Sequence, residues 1–166
     1  RLAEHFEKEG DKAKALSYYE STFRRLLLAK DARAADEVWL KIIDIGPSGW
    51  AFVQAVEEDL AKSRDREKAG TYLSLLASAL AGRKDFDRAL FYFKKALEGL
   101  PKNDSIRADL VAAYKARYAS HTHLDRFIKI SKIENKSEPI FEAIKTLERH
   151  ITFDVGRYVY HRSWGV

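Results

Sequence analysis

The sequence predicts an all-α protein: an α–α superhelix of about nine helices, built as a helical-repeat solenoid, with a short β segment at its C-terminal end. Three observations carry that expectation. Apolar residues recur at intervals of three and four through most of the 166 residues, which is the period of an amphipathic helix. Breaker stretches such as "EGD", "GRKD" and "GPSG" cut those runs into hairpin-sized pieces. The last stretch, "FDVGRYVYHRSWGV" at 153–166, changes period: Tyr158 and Tyr160 alternate with Val159 and His161 between Gly156 and Gly165, the pattern of a strand bracketed by turns.

Taken in order, Leu2, Ala3 and Phe6 mark a first helix, Gly10 and Asp11 a turn, and Ala15 and Tyr19 a second helix. A helix from Ala32 to Ile45 is stopped by Gly46 and Pro47, and Ser48 is placed to cap another that runs to Lys62. The clearest hairpin covers residues 70–101. Its first helix aligns Tyr72, Leu73, Leu76, Ala79 and Leu80; its second aligns Phe86, Ala89, Leu90, Phe93, Ala96 and Leu97. "NDSIRADLVAAYKARYA" then places Leu110 and Tyr114 on one face of a further helix. Its partner, from about 122 to 132, is degraded, and a last helix runs from Ser137 to about Ile151 with Glu138 and Pro139 in its first turn.

The 70–101 unit resembles the tetratricopeptide repeat, a helix–turn–helix of about 34 residues. Leu76, Ala77 and Leu80 stand where that family has Leu, Gly and an aromatic, and Ala89, Phe93, Ala96 and Pro101 match its second-helix Ala, aromatic, Ala and closing Pro; only the tryptophan is missing. Asp11 and Asp85 are 74 residues apart, slightly more than two such lengths, so one irregular hairpin is expected between them. The resemblance implies a stack with a concave face for a protein partner. Its groove would be lined by Thr71, Ser74, Leu75, Ser78 and Gly82, then by Ser105, Asp109, Ala112 and Lys115. That set departs from the Lys and Asn pattern of repeats that clamp a terminal carboxylate, and points instead to another helix of the same protein.

Composition narrows the class. Hydrophobic residues make up 46% and charged residues 33% of the chain, with only three prolines, which fits a soluble globular domain. No apolar run approaches the roughly 20 residues a membrane span needs, so a soluble, cytoplasmic protein is expected. There is no cysteine, which excludes disulfides and thiolate chemistry. The chain begins on Arg1 and has no methionine, as expected of a piece of something longer. The formal charge of +5 is uneven: residues 1–60 hold 9 Lys or Arg against 12 Asp or Glu, and residues 61–166 hold 21 against 13.

Catalytic patterns are scarce. His121 and His123 form an H-x-H pair without a third ligand of clear spacing, and "EED" at 57–59 has no paired base. No phosphate-binding glycine loop or H-E-x-x-H motif occurs. The sequence therefore predicts no enzyme, no cofactor, no metal, no small-molecule substrate and no membrane. The basic half raises nucleic acid as the alternative partner: Arg107, Lys115, Arg117, Arg126, Lys129, Lys132 and Lys136 lie near Tyr114, Tyr118 and Phe127, phosphate-neutralising and stacking side chains together. The periodicity, however, assigns those aromatics to the core.

The C-terminal pattern G-x-Y-V-x-H-x-x-W-G-V is similar to the first strand and turn of the Tudor-like β-barrel of CarD-type regulators and transcription-repair coupling factor. Gly156, Tyr158, Val159, His161 and Gly165 match, Trp164 replaces a histidine, and Val166 stands for a branched apolar residue. In those families the barrel contacts RNA polymerase. Helical repeats containing "DEVWLKIID" at 36–44 and followed by this motif also resemble the long N-terminal region of the Gre-type transcript-cleavage factors of spirochaetes and chlamydiae. The chain departs from that family in lacking the acidic-tipped coiled coil, and the barrel pattern stops after one strand. The resemblance implies a TPR-like domain over residues 1–152 and the start of a β domain over 153–166. It implies a non-catalytic scaffold of a transcription elongation factor with RNA polymerase as protein partner; the alternatives are a free-standing adaptor or a basic nucleic-acid binder. The candidate contact residues are Tyr158, His161 and Trp164 in the tail and Lys115, Arg126 and Lys129 on the helices.

Overall fold

The computed structural model describes residues 2–45 and 65–154. Among them it is all-helical: α1 (Leu2–Lys8), α2 (Lys12–Leu28), α3 (Ala32–Ile45), α4 (Arg66–Gly82), α5 (Phe86–Gly99), α6 (Asp104–Arg117), α7 (Leu124–Ser131) and α8 (Ile140–Thr152). The expected helix from Ser48 to Lys62 and the expected strand at 153–166 lie outside the described residues, apart from Phe153 and Asp154.

One local device makes three of the turns. Gly10, Lys30 and Lys84 take positive φ of 81°, 59° and 63°, and each is followed by an aspartate. The left-handed residue bonds back three positions, and the aspartate N–H bonds back five: Asp11 to Phe6 at 2.9 Å, Asp31 to Leu26 at 3.1 Å and Asp85 to Leu80 at 3.0 Å. That closes the carbonyl end of the first helix. The same aspartate then opens the second helix, its side chain accepting from Lys14, Ala34 or Arg88 N–H. Asp65 and Asn103 cap α4 and α6 in the same manner.

Helices adjacent in the chain pack together: α1 on α2, α2 on α3, α4 on α5, α5 on α6 and α7 on α8. Two further contacts skip along the chain, α3 to α4 and α4 to α6. The first is an aromatic junction. Phe23, Trp39 and Tyr72, from α2, α3 and α4, have ring centroids 5.0–5.4 Å apart, and Trp39 Nε1 donates to the Tyr72 carbonyl at 3.0 Å. Arg83 adds a bond from the end of α4 to the Ile43 carbonyl at 3.2 Å, where the C-terminal end of α3 favours a cation.

The expected core faces are buried, including Leu76, Leu80, Ala89, Leu90, Phe93, Ala96, Leu97, Leu110 and Tyr114. The α4 stripe sits slightly rotated: Ala77 is buried and Ala79 half-buried. The last helix also starts later than expected. Pro139 is its N-cap, with ψ of 120°; Glu138 falls in the preceding turn, since proline disfavours helical geometry in the residue before it, and Glu142 takes the first-turn acidic position.

The α4–α5 crossing is held to backbone contact. A Cβ on Gly70 would lie 2.8 Å from the Ala96 carbonyl oxygen, and one on Gly99 would collide with the Arg66 carbonyl. Gly99→Ala should therefore cost about 1–3 kcal/mol through overpacking. Gly82→Ala meets nothing within 4 Å and should be neutral or stabilising by roughly 0.4–1 kcal/mol. Urea midpoints of the two variants check this, and equal effects would show that the crossing is not tight.

Candidate functional site

The residues expected to line a groove do face solvent. On α4, Thr71, Ser78 and Gly82 are exposed and Ser74 and Leu75 half-buried; on α6, Ser105, Asp109, Ala112 and Lys115 are exposed. Between the two helices lies a cavity of about 300 Å³ lined by Ser78, Ala81, Phe93, Asp109, Ala112 and Ala116. Ala81, Ala112, Ala113 and Ala116, with the rings of Phe86 and Phe93, make its walls largely apolar.

A second cavity of about 300 Å³ adjoins the other side of α6, and Ala112 borders both. Its floor is Ala108, Val111 and Ala112, and its far wall is the segment that follows α7. That segment turns because Lys132 adopts φ of 55° and the Asn135 side chain accepts the Ser137 N–H at 3.0 Å. Four contacts then strap it across α6. Arg107 donates from Nε to the Ile133 carbonyl at 2.9 Å and from Nη2 to the Glu138 carbonyl at 2.6 Å. Lys115 pairs with Glu134 and Lys136 with Asp104, both at 2.7 Å.

Sequence reasoning missed this strap, since "KIENKSEP" shows no periodicity. One signal was available: Arg107 stands in register with Leu110 and Tyr114 on the buried stripe of α6, where a charge requires an acceptor.

The expected cations separate accordingly. Arg107 is 6% exposed and gives one Nε and one Nη2 hydrogen bond to carbonyls, which takes it off the outer surface where a phosphate backbone would run. Lys115 and Lys136 are in ion pairs, and Arg117 pairs with Asp87 at 2.6 Å. Arg126, Lys129 and Lys132 are exposed on and after α7. Tyr114 and Phe127 are core, as the periodicity required, and Tyr118 is half-buried. Tyr158, His161, Trp164 and the "EED" cluster lie outside the described residues.

His121 and His123 converge on Asp154 at the end of α8. The His123 N–H donates to His121 Nδ1 at 3.3 Å, so neutral His121 carries its proton on Nε2, which donates to Asp154 Oδ2 at 3.3 Å. His123 Nδ1 reaches Asp154 Oδ1 at 3.2 Å. The pair thus ties the start of α7 to the end of α8. Among the described residues no group of three or more His, Asp or Glu is placed to hold a metal ion. No helix among them is long and apolar enough to cross a membrane.

A polar junction joins α5, α6 and α8. Glu148 accepts from Lys94 Nζ at 2.8 Å and from the buried Tyr114 hydroxyl at 2.7 Å. Burial pushes the Glu148 carboxyl up, but the hydrogen bonds from Lys94 and Tyr114 outweigh it and hold the group below its ordinary 4.5. The Tyr114 phenol is driven far up, by burial first and then by its bond to Glu148.

Two known proteins are similar to this chain. It is 28% identical over 165 residues to a GreA-associated domains protein of Treponema pallidum, covering 99% of this chain and 25% of that protein. It is 26% identical over 160 residues to the transcription elongation factor GreA of Borreliella burgdorferi, covering 94% of this chain and 17% of that protein. The chain thus spans a quarter or less of the length of each. No protein-family model matches it.

The Glu148 junction predicts an acid sensitivity. A carboxyl whose folded-state pKa is depressed contributes stability that is present above its unfolded value, near 4.5, and is lost as pH falls through the folded value. Glu148→Gln should therefore narrow the stability difference between pH 6 and pH 3 relative to the unaltered protein. Urea unfolding at both values measures it, and an unchanged difference would show that the carboxylate form contributes nothing.

Proposed function

We propose that this chain is a non-catalytic protein-interaction scaffold, the N-terminal part of a transcription elongation factor that acts on bacterial RNA polymerase. The observation that carries this reading is the match along nearly the whole chain to two proteins named for GreA, one of them a transcription elongation factor. In each relative the matched stretch is a minor part of a longer chain, consistent with a helical module joined to other domains.

Within this reading the helices form a TPR-like solenoid. The contacts between consecutive helices, together with the α4–α6 contact across α5, support it, as do the small side chains facing each other between α4 and α6. The tail from 153 to 166 begins a CarD-like β domain, and Tyr158, His161 and Trp164 belong to its first strand. The helical module orients that domain or adds a second contact, through Arg126 and Lys129 among others. The nucleic-acid alternative draws less support: of seven cations considered for it, Arg107 is buried and Lys115, Arg117 and Lys136 are already paired.

A pull-down separates the readings. The full-length protein that carries this chain should capture bacterial RNA polymerase, and residues 1–154 alone should capture it weakly or not at all. Trp164→Ala or Tyr158→Ala in the full-length protein should reduce capture. Failure of the full-length protein to bind, together with salt-sensitive RNA or DNA binding by residues 1–154, would replace the scaffold reading with the nucleic-acid one.

A further inference from the structure

Arg107 is the only charged residue that the fold buries among those described. A guanidinium cannot shed its proton to escape burial, and a buried ion without a counter-ion is costly. Its two bonds go to uncharged carbonyls. The carboxylates that line the same cavity, Glu134 and Asp104, are each engaged with a lysine. The cavity wall therefore holds three cations, Arg107, Lys115 and Lys136, against two anions, and the unbalanced charge is the buried one.

The unused donors have a definite shape. Of the five N–H groups of an arginine, Arg107 spends one on Nε and one on Nη2. The remaining three sit on Nη1 and Nη2, the edge that grips a carboxylate with two parallel bonds. Beside it the floor is apolar, made by Ala108, Val111 and Ala112, and the cavity volume of about 300 Å³ accommodates side chains rather than a folded element.

We propose that this cavity is a binding site for a single carboxylate beside an apolar side chain, supplied by a protein partner as an acidic residue next to a branched aliphatic one, with Arg107 as the counter-ion. One surplus positive charge matches a monoanion. A nucleic-acid backbone fits poorly, because the lysines that would meet further phosphates, Lys115 and Lys136, are already paired with Glu134 and Asp104. The cavity meets the α4–α6 trough at Ala112, so a peptide anchored here has an apolar path to follow. The choice of a protein as the source rests on the scaffold reading above; the anion site itself does not require RNA polymerase.

The test is an NMR titration of the 166-residue chain with the blocked peptide acetyl-Leu-Glu-Leu-amide, its Gln analogue and inorganic phosphate. The Glu peptide should give saturable shifts at the Val111 methyls and the Arg107 Nε–H, and the Gln peptide should bind about tenfold more weakly, because the buried guanidinium is then left without its anion. Glu134→Gln removes a competing carboxylate without touching Arg107 and should tighten the Glu peptide several-fold; this variant keeps the test decisive where Arg107→Lys loosens the strap. Equal binding of the Glu and Gln peptides, phosphate binding as tight as the Glu peptide, or no saturable response in either the unaltered chain or Glu134→Gln would each overturn the proposal. None of these outcomes bears on polymerase capture by the full-length protein, so the two readings fail separately.

Discussion

The α1–α2, α2–α3 and α4–α5 hairpins depend on a turn in which one aspartate serves two helices. At Asp11, Asp31 and Asp85 the backbone N–H closes the preceding helix while the side chain opens the next. Sharing one residue leaves no slack in the connection. The two helices fold back on each other, and the turn sets their buried stripes in register. The device tolerates a left-handed lysine at positions 30 and 84, where a non-glycine residue costs about 1–2 kcal/mol. That cost is accepted because the turn satisfies both helix ends, whose bare N–H and C=O groups would otherwise need water or other partners.

Close packing follows from those fixed hairpins. Where α4 and α5 cross, Gly70, Ala96 and Gly99 bring backbone against backbone, and the same smallness leaves a trough beside the slighter α4–α6 contact. Small residues thus do two different jobs in one hairpin. On the inner stripe they let helices touch. On the solvent-facing stripe they leave room, and the surface between α4 and α6 is concave and largely apolar, with Asp109 in its wall.

Much of this was legible in the sequence because it is local. Helix bounds near Ala32–Ile45 and Asp104–Arg117, the turn at Gly10–Asp11, and the burial of Leu76, Phe93, Ala96 and Tyr114 follow from period, breaker and cap. What stayed hidden is what depends on long-range polar contact. The Arg107 clamp reaches 26 and 31 residues along the chain, and nothing in the strap's own residues announces that they cross α6. Pro139 misled for a local reason: proline suits a first helical turn, yet here it stands one step outside it, after a turn closed by Asn135 and Glu138.

The strap also explains why the candidate contact region falls on α6. Its sequence partner α7 has eight residues, against fourteen in α5 and α6, so it cannot cover the full length of its neighbour. α8 takes over part of that duty through Tyr114 and Glu148, and the chain between α7 and α8 must pass over α6 to reach it. A passing chain brings backbone carbonyls over an apolar stripe, and a carbonyl set down there needs a donor. Arg107 is that donor, placed inward where a regular repeat would have an apolar side chain. The short α7, the strap, the buried charge and the cavity beside it thus belong together: a brief helix leaves α6 to be crossed by chain, and Arg107 answers the carbonyls that the crossing brings.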